Sequence, residues 1–448
     1  MLSSFALVAM LVLGAATSAT PNHVDQGIRF TCQRRQLPEI KAAMLGYLRS
    51  LGIPDDVVAL DERPAQGVLV YTLDTPGGET STLDLAARPN LAISSELVTL
   101  SSEPEATSSI VTVSQKEILL ALLQHGRLTE LKGPACSVDV LADHVALRQN
   151  IVAWAENLRW RWPNGGPAEW NQDYWKRGTP KRGVELRDAI DDVFTHQSAY
   201  AIGCYTATKL VVVKGVLDYY NRVRESPELA HLVRARLLSD HEPLYNVEPA
   251  IAWRFEPGFD PKEAARPGKL LSIVYDVAPN NFVPGDWVYF LNTDPASSKM
   301  TGYEGSNAIY LGGRRFDDYY GENNHAFSYE EKLDEVFQWR NGVFNRERDA
   351  GKRQPLAERD LARLSESPRH GGLVKAWRIA PDFFEASTRR NTSPPTSVNR
   401  APADRILAGE ARGIVSRSRR GPGYRVNPNS TSPDESAGLN VRVLPDTQ

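Results

Sequence analysis

The sequence predicts an α+β protein, and three observations carry that expectation. Helical periodicity dominates the first half. A cysteine, Cys204, stands at the start of one of those helices. Strand-like runs rich in Val, Ile, Tyr and Phe then follow, punctuated by Gly, Pro and Asn. A chain of 448 residues that is 41% hydrophobic buries a real core and has room for more than one folded unit. Its net charge of −3 supplies no global basic field, so neither nucleic acid nor a membrane surface is an expected partner.

Residues 1–20, "MLSSFALVAMLVLGAATSAT", hold an apolar run from Phe5 to Leu13 followed by small residues suited to cleavage near Ala16 or Ala19. This reads as a signal peptide, hence a secreted or periplasmic protein. It departs from the usual pattern in having no Lys or Arg ahead of the run, and the run is too short to span a bilayer comfortably. A lipid-facing anchor is the competing reading.

Residues 21–137 are expected to form a small N-terminal α+β domain. It has a helix-like "LPEIKAAMLGYLRSLG", a strand-like "GVLVYTLDT" and a helix-like "SQKEILLALLQHG" between Pro, Gly and Ser clusters. The Thr- and Ser-rich stretch 76–113 carries no visible chemistry. Residues 138–385 form the expected catalytic region. It opens on "VLADHVALRQNIVAWAENLRWRW", passes "WNQDYWKRGTP", and reaches Cys204 through a helix at "VELRDAIDDVF". Strands follow at "LLSIVYDVA", "GDWVYFLN" and "SNAIYLGG". Residues 386–448 turn to Ser, Pro, Asn and Arg, too poor in apolar residues to offset the entropy of ordering. They read as a disordered, locally basic tail with N-glycosylation sequons at Asn391 and Asn429.

There are three cysteines. In an oxidising compartment one pair forms, and pairing Cys32 with Cys136 would staple the N-terminal region and leave Cys204 free. Three unpaired core cysteines are the alternative. Cys204 lies in "AIGCYTATKLVVVKGVLDYY", where Leu210, Val213, Val216, Leu217 and Tyr220 recur at helical spacing. Unpaired N–H groups and the helix dipole at such a start favour thiolate, which makes a nucleophile. A small buried hydrophobe is the competing reading. Trp154, Trp160, Trp162, Trp170 and Trp175 either line a cleft for an extended peptide or pack as core. With no metal-ligand spacing, no phosphate-cradling glycine loop and no serine elbow, no cofactor is expected.

Three pieces in series carry a resemblance: "DYWKRGTPKRGVELRDAIDDVFTHQSAYAIGCYTATK", "FVPGDWVYFLN" and "NAIYLGG". Over about residues 154–321 the chain resembles the bacterial spore-coat type protein-glutamine γ-glutamyltransferases. These are compact transglutaminases with a papain-like cysteine core, in which the cysteine at a helix N-terminus packs on an antiparallel sheet. The resemblance implies that Cys204 attacks a glutamine carboxamide, expels ammonia and leaves a thioester that a lysine amine opens to an isopeptide bond. The partners are then proteins with accessible Gln and Lys. The family has a carboxylate just before the cysteine, where this chain has Gly203, and a general-base glutamate just before the Asn of "NAIYLGG", where this chain has Ser306. Glu304 lies two residues earlier, on the same face of an extended strand and roughly 7 Å away along it, and is expected to take that role. The family's histidine aligns near Tyr320, with Asp317, Asp318 and His325 close by. His325 is the best proton carrier among them. The catalytic set expected is therefore Cys204, Glu304 and His325, against the readings of Glu304 as a solvated loop carboxylate and His325 as a surface histidine. Other activities left open are a papain-like hydrolase, either peptidase or glutamine deamidase, and a catalytically silent secreted binding module.

Overall fold

The computed structural model describes residues 27–74, 81–101, 107–124, 129–176, 178–181, 183–231, 271–274, 281–321, 326–375 and 378–381. The N-terminal apolar run, the C-terminal tail with its sequons, and His325 lie outside the described residues. In chain order the elements begin with β1 (Ile28–Thr31), α1 (Leu37–Ser50), β2 (Val58–Arg63), β3 (Val68–Leu73), β4 (Glu96–Ser101), β5 (Thr107–Thr112), α2 (Gln115–Leu123), β6 (Thr129–Lys132) and α3 (Val138–Asn157). They continue with β7 (Trp175–Lys176), β8 (Thr179–Pro180), α4 (Leu186–Thr195), α5 (Cys204–Asp218), β9 (Leu271–Val274), β10 (Trp287–Leu291) and β11 (Gly305–Gly312). Last come β12 (Arg315–Asp317), β13 (Ala326–Ser328), α6 (Tyr329–Gln338), α7 (Glu358–Leu364), β14 (Val374–Lys375) and β15 (Arg378–Pro381).

The class is α+β. A four-stranded sheet runs β2-β3-β1-β6, with β6 parallel to β1, and a five-stranded sheet runs β13-β12-β11-β10-β14, antiparallel at every pairing. Local chemistry sets the helices. α1 buries Leu37, Ile40, Met44 and Leu48 at three-to-four spacing. The hydroxyls of Ser114 and Ser137 cap the first turns of α2 and α3.

α5 is not the half-exposed amphipathic helix its apolar spacing predicts. From Thr206 to Asp218 every residue is buried, because α3 and α4 pack on it from one side and β11 from another. Its two lysines are accommodated by local partners. The Lys209 ammonium lies 4.0 Å from the Tyr205 ring centroid, and Lys214 meets Asp191 at 2.5 Å while lying 4.2 Å from the ring of Trp154. At the crossing of α3 and α5, a Cβ on Gly215 would come within 2.6 Å of Ile151 Cγ1, so the backbones approach as closely as only glycine allows.

The five-stranded sheet is covered on both faces. Ile309 and Leu311 of β11 join the core around α3 and α5, while Ala308 and Tyr310 join a second cluster with Phe290, Phe316, Leu333 and Val336 under α6. The first of these cores joins described residues from both sides of the 137/138 boundary, from Ile28 to Tyr320. A disulfide joins Cys32 to Cys136 across 104 residues, as the cysteine arithmetic anticipated, and Cys204 is a free thiol. Of the five tryptophans, Trp154, Trp160, Trp170 and Trp175 are core, and Trp162 alone keeps enough exposure to line a site. Among the described residues no helix is long and apolar enough to cross a membrane.

Candidate active site

Cys204 is the first residue of α5, with Gly203 as an extended N-cap that offers no side-chain cap. A Cβ at Gly203 would meet nothing within 4 Å, so the approach in front of the thiol is open. The Cys204 Sγ accepts two hydrogen bonds from one residue of the neighbouring strand, the Asn307 backbone N–H at 3.4 Å and Asn307 Nδ2 at 3.5 Å. Asn307 cannot turn its amide the other way without loss, because Trp287 Nε1 donates to its Oδ1 at 2.9 Å. The cysteine segment is also clamped from behind. Thr208 Oγ1 donates to the Cys204 carbonyl at 2.7 Å and lies 2.9 Å from the Tyr319 hydroxyl, while the Tyr320 hydroxyl donates to the Ile202 carbonyl at 2.6 Å.

Burial pushes the Cys204 thiol above its ordinary pKa. The two Asn307 hydrogen bonds and the charge of Lys332 pull it down, the charge of Asp318 pushes it up, and the net direction is up. The lowered thiol pKa expected from a helix start is thus overturned, because desolvation outweighs the N–H groups and positive charge that face the sulfur. For attack on a carboxamide such a thiol calls for a base to take its proton. Asn307→Ala removes one of the two donors to a developing thiolate, a bond of about 1.5–3 kcal/mol when one partner is charged. Alkylation of Cys204 by iodoacetamide at neutral pH is expected to slow by about 10-fold. An unchanged rate constant would show that the asparagine amide does not stabilise the thiolate.

Two pockets meet at the sulfur. The larger one, about 60 Å³ and open to the surface, is lined by Trp162, Gly203, Cys204, Tyr205, Tyr289, Glu304 and Asn307. The smaller, narrow one, about 30 Å³, is lined by Cys204, Ser306, Asp318, Tyr320, Glu335 and Trp339. Gly302 lies between them with φ +85°, where a Cβ would come within 2.8 Å of the Trp162 ring, so glycine is required both by conformation and by space. A larger hollow of about 520 Å³ lies against α5 on the side of Asp191 and Lys214 and contains no cysteine. His231 is among its lining residues.

Glu304 does line the open pocket with Cys204, but by a different route from strand alternation. β11 begins at Gly305 and Glu304 sits in a bend before it, so the period-two argument does not extend to it. Glu304 lines the open pocket and Ser306 the narrow one. His325 lies outside the described residues. Tyr320, which stands near the family's histidine position, is committed to the Ile202 carbonyl and acts as a clamp. Asp317 accepts from the Tyr319 N–H at 2.6 Å.

Of the residues the site brings together, Asp318 stood in the sequence reading beside His325 as a lesser candidate, while Lys332 and Glu335 had no place in it and Asn307 lay inside a noted motif without a role. The charged set Asp318, Lys332 and Glu335 joins the narrow pocket to α6, with Lys332 Nζ 3.0 Å from Asp318 Oδ2 and 2.6 Å from Glu335 Oε2. Lys332 is fully buried, and its ammonium lies 4.4 Å from the Phe327 ring centroid. Burial pushes the Asp318 carboxyl up to about 7, against the pull of Lys332 and with the help of Glu335 and Asp317. For Lys332 burial alone would lower the pKa, but the two carboxylates outweigh it and the net direction is up. A readable signal for α6 was present in "SYEEKLDEVFQ", where Ser328 and Glu331 form a capping box ahead of Leu333 and Val336. Among the described residues no cluster of three or more His, Cys, Asp or Glu is placed to hold a metal ion.

A model of the family described as protein-glutamine gamma-glutamyltransferase matches residues 100–355. Protein-glutamine gamma-glutamyltransferase from Bacillus pumilus (strain SAFR-032) is 28% identical over 257 residues, covering 54% of this chain and 87% of that protein. The solved transglutaminase from Geobacillus stearothermophilus, without its C-terminal extension, is 18% identical over 56% of this chain and 96% of its own, with a TM-score of 0.34.

Proposed function

The chain belongs to the protein-glutamine gamma-glutamyltransferase family, acyltransferases with a cysteine nucleophile, and from that premise we propose that it is a secreted enzyme that crosslinks proteins through a thioester on Cys204. We read its core as papain-like, a helix that begins on the nucleophile and packs on an antiparallel sheet. In this reading the glutamine side chain enters the open pocket past Trp162 and Tyr289. Cys204 Sγ attacks the carboxamide carbon, the C–N bond breaks, ammonia leaves, and the γ-glutamyl group remains on sulfur. A lysine amine then attacks the thioester, re-forms the thiol and leaves an isopeptide bond. The first N–H groups of α5, that of Cys204 foremost, have no acceptor within the helix and are suited to the oxyanion of the tetrahedral step.

The observation that carries this reading is a free thiol held by two N–H donors at the junction of two pockets, one of them open and aromatic-walled. Export is supported by the apolar N-terminal run and by the Cys32–Cys136 disulfide, which suits an oxidising compartment. Incubation of the purified protein with a glutamine-donor peptide and a primary amine tests the activity. Mass analysis is expected to find the amine on glutamine. Conversion of glutamine to glutamate alone would mark a deamidase, cleavage of the chain a peptidase, and an unchanged peptide a silent module.

In this reading the lysine enters by the same pocket once ammonia has left, and Glu304, which lines it, is suited to draw in the ammonium and take its proton before attack. A positioned general base contributes about 10²–10⁴-fold, so Glu304→Gln is expected to slow amine incorporation by that order. The first burst of ammonia, which reports thioester formation, should persist. Full amine incorporation in Glu304→Gln would remove the residue from the mechanism.

A further inference from the structure

Taking acyl transfer at Cys204 as given, we propose that Asp318, held by Lys332, is the base that takes the Cys204 proton and returns it to the departing ammonia. Three observations converge on it. Asp318 and Cys204 line one pocket, and each charge of the Asp318–Lys332 pair is felt at the thiol, in opposite senses. The narrow pocket has about 30 Å³ of water-sized space, enough for about two waters, so a proton can cross by one intervening water if the groups do not touch directly. Of the other residues that line a pocket with the sulfur, Gly203 has no side chain, Ser306 is a poor proton acceptor, Asn307 donates to the sulfur, and the Glu304 carboxylate lines the other pocket.

The chemistry also fits. A thiol pushed up by burial needs an acceptor, and a carboxyl raised to about 7 is basic enough to accept a proton and acidic enough to give it back near neutral pH. The groups that bear on Asp318 are Lys332 and Glu335 from α6, Asp317 beside it in the chain, and Cys204 from α5. Glu335 also lines the pocket, but it lies nearer solvent, with its side chain 12% exposed, and is the closer partner of Lys332. It sets the charge around Asp318. In the step itself the S–H bond breaks toward the Asp318 carboxylate as sulfur bonds to the carboxamide carbon. The carbonyl π electrons move to oxygen. When that tetrahedral centre collapses, the C–N bond breaks, the nitrogen takes the proton from Asp318, and ammonia leaves.

Two rates separate this role from a structural one: ammonia release, which reports thioester formation, and alkylation of Cys204 by iodoacetamide, which reports the thiol alone. In the wild type the rate of ammonia release should rise with pH through a midpoint of about 7, because the carboxylate is the active form. Asp318→Asn should lose that limb and release ammonia about 10²–10⁴-fold more slowly. Alkylation in the same variant should be no slower, since the negative charge that raises the thiol pKa is gone. Glu335→Gln should keep the limb and move its midpoint down, and that shift decides the matter if Asp318→Asn does not fold. Asp318→Glu should restore part of the rate.

Unchanged ammonia release in Asp318→Asn would overturn the proposal, and so would alkylation that falls in parallel with it. If the wild type releases no ammonia from any glutamine donor, the acyl-transfer reading fails and the catalytic role fails with it. Coupling of Asp318 to the thiol still stands in that case if the alkylation profile has a limb near 7 that Asp318→Asn removes.

Discussion

Cys204→Ala is expected to abolish amine incorporation while leaving the thermal transition of the protein where it was. Loss of the nucleophile in a covalent mechanism costs on the order of 10⁶-fold in turnover, because the remaining groups have nothing to act through. The fold should survive because the side chain is small, partly exposed, and held by only two long hydrogen bonds from Asn307. The same mutant removes the single site of native alkylation. Iodoacetamide without reductant should add one label to the wild type, at Cys204, since Cys32 and Cys136 are bonded to each other. Peptide mass mapping reads both results. Amine incorporation that persists in Cys204→Ala would place the chemistry elsewhere.

Asp286→Ala is expected to be the costliest change to stability, at about 3–5 kcal/mol. Arg148 of α3 and Asp286 at the start of β10 are 1% and 0% exposed, and Arg148 Nη1 lies 3.0 Å from Asp286 Oδ1. Further hydrogen bonds hold the pair: Arg148 Nη1 donates to the Pro284 carbonyl, Nε to His144 Nε2, and Asp286 Oδ2 accepts from the Val283 N–H. Removing the carboxylate strands a buried guanidinium charge, so the cost is that of an uncompensated ion. Scanning calorimetry should register a fall of roughly 10 °C. The double variant Arg148→Met/Asp286→Leu should be much milder, because a matched apolar pair leaves no charge unpaired. A double variant as unstable as the single would show that the site needs the ion pair itself. The pair also bears on function, since Trp287, the next residue, aims the Asn307 amide at the thiol.

Much of the scaffold was legible because its signals are local. α1, α2, α3 and α4 follow from apolar spacing, and β3, β10 and β11 from β-branched and aromatic runs between turn residues. The pairing of β4 with β5 was not legible. Both arise in the Thr- and Ser-rich stretch that carried no visible chemistry, and Leu97 and Val111 face solvent while Leu100 is buried, so apolar residues on both faces left no clean alternation in the sequence. At the site, the place of Cys204 was legible because a helix start after glycine is a local feature. Its pKa direction was not, since that depends on how tightly other segments close over the sulfur. The Asp318–Lys332 pair joins residues 14 apart through a strand-to-helix connection, and no periodicity in the sequence foretells such a meeting. Glu304 was placed at the pocket by an alternation that stops one residue short of it.

The pleat of β11 has a consequence for which changes the lineage of this protein can absorb. Asn307 turns to the sulfur and the open pocket, its neighbour Ser306 to the narrow one, and the opposite strand pairs Tyr289 with Asn307 and Phe290 with Ser306. One residue inserted within β11 would exchange the two rows, turning the serine toward the substrate side and the asparagine away from the thiol. The same residue inserted in the connection 292–301 would leave both rows in place. Length variation among descendants of this chain is therefore expected to collect in that connection and to be absent from 305–312, whatever the individual side chains become.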